Sequence, residues 1–126
     1  MMKRVMTMAA VVGLALAGCA ATQGPAKVAD TAKGRSWVDA SGMTLYSFDK
    51  DSAGKSACNG PCAKNWPPLS AASGMAPGEW SVVAREDGSK QWAYKGKPLY
   101  TFAKDTKPGD AMGDGFLNNQ WHIAAP

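Results

Sequence analysis

Histidine is nearly missing from this sequence: His122 stands alone among 126 residues. One imidazole makes no histidine pair, so metal sites built on paired histidines lack their ligands. Lysine and arginine nowhere form a run interleaved with aromatics, and nucleic-acid binding is disfavoured on that ground. Beyond residue 18 no stretch carries a helical period of apolar residues or helix caps. A phosphate-binding loop is also missing. Ser52-Ala53-Gly54-Lys55-Ser56 ends like one, but the pattern needs glycine at position 49, where Asp49 stands, and no helix follows. No long apolar run is present either. The uncharged, mostly apolar stretch Val5–Ala17 has 13 residues, too few to cross a bilayer as a helix.

That short run has a different use. Lys3 and Arg4 precede it and small residues follow, which is the layout of a secretory signal. Its end, Leu16-Ala17-Gly18-Cys19, resembles the lipobox of bacterial lipoproteins. The resemblance implies a signal peptide over residues 1–18, cleavage before Cys19, and acyl chains on that cysteine, enough of them for stable anchoring. Ala20 follows instead of Asp. In a host with two membranes, the sorting rule of such lipoproteins sends the chain to the outer membrane, facing the periplasm. Removing residues 1–18 leaves 108 residues, one domain's worth. It also removes Lys3 and Arg4, so the formal charge of +4 falls to +2. Residues 19–26 read as a lipid-anchored tether that reaches only roughly 2 nm on flexible-coil scaling.

The body of the chain is written twice. LYSFDKD at 45–51 returns as LYTFAKD at 99–105. Gly42, Leu45, Tyr46, Phe48 and Asp51 match Gly96, Leu99, Tyr100, Phe102 and Asp105 at one offset of 54; Trp66 matches Trp121 at 55. Val28 lies nine residues before Trp37, and Val83 nine before Trp92. Units of about 27–69 and 81–125 therefore form a duplicated domain over 27–126. Two copies are too few for an open solenoid, so they are expected to pack on each other. Their signals are those of strands. WSVVAREDGSKQWAY alternates on either side of the turn pair Asp87-Gly88, and Lys95-Gly96 makes a second tight turn into PLYTF. A three-stranded meander is expected, with a looser copy around Gly34 and Ser41-Gly42. The fold class is all-β: short antiparallel strands in two repeats, packed as one small pseudo-twofold sandwich or barrel-like domain.

Within the repeated phrase, Tyr46 and Phe48 share one strand face and Leu45 and Ser47 the other. Asp51 follows the strand, where its carboxylate is expected to bond backbone N–H groups of the turn toward Gly54; Asp105 stands before a Pro108-Gly109 turn. Aliphatics are sparse and four of the five tryptophans form matched pairs, so indoles are expected to supply much of the core. The Tyr-x-aromatic-x-x-Asp phrase, present as YSFDKD and YTFAKD, resembles the signature of small bacterial lipoproteins described as a secreted repeat of unknown function. CNGPCAKNWPPL and PGDAMGDGFLNNQWHIAAP extend the resemblance over nearly the whole mature chain. It implies an envelope lipoprotein and brings no substrate.

Cys58 and Cys62 make an even pair in an oxidising compartment, which points to a disulfide. Three residues separate them instead of the two of a redox C-x-x-C pair, and no histidine follows Cys62 as covalent haem attachment would require. The rival reading is periplasmic redox or copper handling, with Cys58, Cys62, Met112 and His122 as soft ligands; Met43 and Met75 are the other methionines of the mature chain. Asp51 and Asp105, facing each other across a pseudo-twofold axis, are the candidates for acid–base hydrolysis. Asp110 and Asp114 lack the spacing of a calcium loop. The expected role is non-catalytic, with no cofactor: a binding or structural module at a membrane, with an envelope protein or small molecule as unidentified partner.

Overall fold

The computed structural model describes residues 25–71 and 76–126. The signal segment, Cys19, most of the tether and Met75 lie outside the described residues. Strands β1 (Lys27–Thr31) and β2 (Gly34–Val38) form an antiparallel hairpin that sets Val28 opposite Trp37. The second copy opens with β4 (Trp80–Ala84), β5 (Lys90–Tyr94) and β6 (Lys97–Pro98) in one antiparallel sheet. This is the expected meander. Gly88 closes its first turn at φ +90°, a backbone region in which a Cβ would be strained, while Asp87 Oδ1 accepts from Ser89 N–H at 2.9 Å. In the first copy the third strand shrinks to a single Val38–Thr44 bridge.

The chain then crosses between copies. Strand β3 (Tyr46–Phe48) pairs with β7 (Trp121–Ile123) of the second repeat, Phe48 opposite Trp121. On its other side Tyr46 N–H donates to Tyr100 O at 2.7 Å, and Tyr100 N–H to Tyr46 O at 3.0 Å. Residues 99–101 in turn bond the segment after Trp66: Leu69 N–H donates to Leu99 O at 2.9 Å and Thr101 N–H to Pro67 O at 2.8 Å. Each repeated phrase is thus flanked by its twin and by the other copy's closing segment. The same exchange recurs one strand out. Trp37 N–H donates to Ala124 O, and Trp92 N–H to Leu69 O, both at 2.8 Å.

Alternation along this central ladder divides the core in two. Leu45 and Leu99 enter a cluster with Trp80, Trp92, Ala26, Ala71 and Ala124, against which Trp37 and Tyr94 pack. Tyr46, Phe48, Tyr100 and Phe102 enter the other, with Trp66, Trp121 and Cys58. Packing is sandwich-like over three small antiparallel sheets, and the strands do not close a barrel. Two short turns of helical character were not legible in the sequence. Helix α1 (Pro61–Asn65) has five residues, too few to display a period. At Phe116–Asn119 the backbone is left-handed instead, with φ of +56°, +57° and +64° at Leu117, Asn118 and Asn119.

The tightest point of the second cluster is Gly113. A Cβ built there would lie 2.6 Å from Trp66 Cη2 and 3.1 Å from Phe102 Cδ2. Overpacking of a closed core costs about 1–3 kcal/mol. Gly113→Ala is therefore expected to lower the urea-unfolding midpoint by a corresponding amount. An unchanged midpoint would show that the rings yield freely.

Candidate functional site

The repeated phrase and its tryptophan explain one another once both copies are considered together. Trp66 and Trp121 stack face to face, centroids 3.7 Å apart and planes 3° from parallel. Phe48 stacks on the far side of Trp121 at 4.2 Å, and Phe102 on the far side of Trp66 at 4.1 Å. Each phenylalanine thus covers the indole of the opposite repeat, and four rings form one column through the pseudo-twofold axis. Tyr46 and Tyr100 meet their own repeat's indole edge-on, at 5.4 and 5.1 Å. Contacts of these kinds contribute about 0.5–1.5 kcal/mol each beyond area burial.

The carboxylates cross in the same way. Tyr46 Oη donates to Asp105 Oδ2 at 2.6 Å, and Tyr100 Oη to Asp51 Oδ2 at 2.7 Å. The second oxygen of each ties down the loop that follows it: Ala57 N–H donates to Asp51 Oδ1 at 2.7 Å and Met112 N–H to Asp105 Oδ1 at 2.9 Å. The sequence places both carboxylates at backbone turns, and the loop bonds agree in kind, although Asp51 reaches Ala57 and not the turn at Gly54. The two carboxylates do not form a facing pair. Each addresses the other copy's tyrosine, because the tyrosines occupy the axis. Burial pushes both phenols above their ordinary value of 10.0, and the hydrogen bonds to Asp105 and Asp51 push in the same direction. Burial also raises the Asp51 carboxyl; the Ala57 N–H, the Tyr100 hydroxyl and Arg85 oppose it.

Beyond the crossed bonds the halves differ. Around Tyr46 the remaining donor is Gly113 N–H, 3.1 Å from the phenol oxygen. Around Tyr100 a side-chain network takes its place. Arg85, only 7 % exposed, donates to Cys58 O at 2.6 Å, Gln91 Oε1 at 2.8 Å and Ser56 Oγ at 3.0 Å. Ser56 Oγ lies 2.6 Å from Tyr100 Oη. Because Tyr100 gives its proton to Asp51, Ser56 donates to Tyr100. A directed chain then runs from the buried guanidinium through two hydroxyls to the half-buried Asp51 carboxylate, compensating the two charges without direct contact. Nothing in the repeat pattern signalled Arg85, which stands in the second copy alone. Gln91 had a fainter signal: it precedes Trp92 as Ser36 precedes Trp37. Both are buried, and both bond the carbonyl of the phrase's leucine, Ser36 Oγ to Leu45 O at 3.4 Å and Gln91 Nε2 to Leu99 O at 2.7 Å.

Cys58 and Cys62 are joined as a disulfide. With both sulfurs bonded to each other, the proposed soft-metal set loses two of its ligands. Met112 is exposed and His122 Nε2 lies 2.9 Å from Asp49 Oδ2, so the structure does not assemble these four residues. Among the described residues, no group of three or more His, Cys, Asp or Glu side chains could hold a metal ion. The His122–Asp49 pair, unanticipated in the sequence, borders two adjoining grooves of about 270 and 190 Å³ that share Ser47, Asp49 and Lys97. The imidazole is committed to Asp49, and Ser47, its cross-strand neighbour, makes no bond to it among the described residues.

A family model of lipoproteins described as a secreted repeat of unknown function matches this chain twice, over residues 27–70 and 81–125. No curated protein and no solved structure gives a match.

The crossed bonds make a pH prediction. Tyrosines of the unfolded chain ionise near pH 10, while Tyr46 and Tyr100 hold their protons in the fold. Stability is thus fully present below about pH 10 and is lost as pH rises further. Urea midpoints should fall progressively as pH rises above about 10, and Tyr46→Phe/Tyr100→Phe should start lower but fall less. Parallel profiles for the two proteins would contradict this.

Proposed function

The chain belongs to this family of secreted repeats, and from that premise we propose that it is a lipid-anchored envelope protein whose domain is a non-catalytic binding or structural module. The observation that carries the reading is the use made of the repeated phrase. Its tyrosines, phenylalanines and carboxylates, with both tryptophans, are spent on joining the two halves. Catalytic carboxylates need an open face toward substrate and a proton to exchange. Asp105 is buried, and Asp51, half-buried at the edge of the larger groove, is like it in directing one oxygen at a buried phenol and the other at a backbone N–H. What the duplicated motif builds is a rigid body.

The anchor supplies the other half of the proposal. Leu16-Ala17-Gly18-Cys19 supports cleavage before Cys19 and acylation there, and no helix among the described residues is long and apolar enough to cross a membrane. A body held by acyl chains on a tether of roughly 2 nm stays at the membrane surface. In a two-membrane host the surface is the periplasmic face of the outer membrane, and the partner is an envelope protein or a small molecule that meets the exposed faces.

Metabolic labelling with a palmitate analogue tests the anchor. The native chain should incorporate label and sediment with outer membranes. Cys19→Ala should lose the label and appear in the soluble fraction. Unlabelled native chain, or an alanine variant that still sediments with membranes, would overturn the anchoring.

A further inference from the structure

The loop between Asp105 and β7 is the most strained part of the described backbone. Gly115, Leu117, Asn118 and Asn119 all have positive φ. Glycine and asparagine tolerate that region; leucine does so at a cost of roughly 1–2 kcal/mol. The strain is not repaid by burial of Leu117, which is 54 % exposed, with Phe116 at 46 % and Met112 at 62 %. Three large apolar side chains thus stand in water on one loop. Phe116 also touches the column's end, 5.8 Å from Trp66 and 5.4 Å from Phe102 by ring centroids. The loop is therefore mounted on the end of the stacked aromatic column. Strain held by a rigid support marks a segment kept for use.

Charge surrounds the tip. Ala103 N–H donates to Asn65 O at 2.8 Å, which brings the flanks of Lys64 and Lys104 beside the Trp66–Phe102 end of the column. Both lysines are exposed, and neither makes an ion pair among the described residues. The nearby acids keep their charge but are less exposed than the two lysines. Asp105 is buried, Asp110 pairs with Lys107, and Asp114 Oδ1 accepts from Ile123 N–H. Apolar side chains at a tip, flanked by free ammonium groups, match a bilayer with anionic headgroups. Three side chains are too few for a stable protein interface, which takes about 800 Å² from each partner. The chain ahead of Pro25 supplies the membrane. Acyl chains on Cys19 hold the body within a tether's reach of roughly 2 nm from the lipid.

We infer that Met112, Phe116 and Leu117 form a second, non-covalent membrane contact, inserting among the headgroups of an anionic bilayer while Lys64 and Lys104 face its phosphates. This rests on the acylation at Cys19, which brings the domain to the lipid. Docking fixes which face of the body is turned away from the membrane and offered to partners.

The test uses the acylated chain reconstituted in vesicles of phosphatidylethanolamine and phosphatidylglycerol. An environment-sensitive fluorophore is placed on Leu117→Cys, and as control on Val82→Cys, an exposed apolar position of β4. Expected is co-flotation with the vesicles, blue-shifted emission at 117 quenched by brominated lipid, and aqueous emission at 82. Phe116→Asp, read with the same probe, should abolish the shift without preventing flotation. Flotation with aqueous emission at 117 overturns the docking and leaves the acyl anchor intact. Failure to float overturns the anchor, and with it the docking. A blue shift at 117 in detergent without lipid, rising with protein concentration, overturns the inference in favour of self-association.

Discussion

Two indoles lying 3.7 Å apart on a pseudo-twofold axis set the conditions for everything else in this protein. Neither repeat can satisfy its own motif. Phe48 needs Trp121, Phe102 needs Trp66, Tyr46 needs Asp105 and Tyr100 needs Asp51. The backbone obeys the same rule, since each phrase pairs with its twin and with the other copy's closing segment. A single copy would leave a stack half-built and a buried carboxylate without its donor, and the loss of a donor costs about 1–3 kcal/mol. The doubling is therefore a condition of folding, and a domain of this size gains in coherence what its thin core cannot supply by area alone.

Symmetry holds at the axis and relaxes away from it. On one side Tyr100 is held by Ser56, Arg85 and Gln91, with the Cys58–Cys62 disulfide bracing the carbonyl to which Arg85 donates. On the other, Tyr46 is held by the backbone of the Met112–Gly113 segment, and the chain beyond it turns left-handed to expose Phe116 and Leu117. The first half has invested its freedom in a buried network and a cross-link. The second has kept a short backbone clasp and an exposed apolar tip. Duplication followed by such divergence leaves a common frame with two different ends.

Much of this was legible in the sequence. The two constant offsets exposed the doubling; Asp87-Gly88 and Lys95-Gly96 placed the hairpins; the alternation of Leu45, Tyr46 and Phe48 assigned strand faces. The cysteine pair pointed to its disulfide. Partnership was not legible. A repeated phrase shows that Asp51 and Asp105 are equivalent, but equivalence does not say whether they face each other or exchange partners. Tyr100 lies 49 residues from Asp51, and no local spacing encodes that bond. Arg85 was invisible because a lone arginine at the end of a strand, entering a turn, reads as solvated; only the surrounding oxygens of Ser56, Cys58 and Gln91 make its burial tolerable. The left-handed turn escaped because leucine is a poor signal for positive φ.

If the motif serves to lock two halves together, function resides on the surfaces the lock leaves free. The lock itself is open to direct measurement by double-mutant cycles on unfolding free energy. Tyr46→Phe with Asp105→Asn should show a coupling of about 1–2 kcal/mol. Tyr46→Phe with Asp51→Asn, a pair within one repeat, should add to within roughly 0.5 kcal/mol. Additivity across the repeats, or coupling within one, would contradict the exchange on which this structure depends.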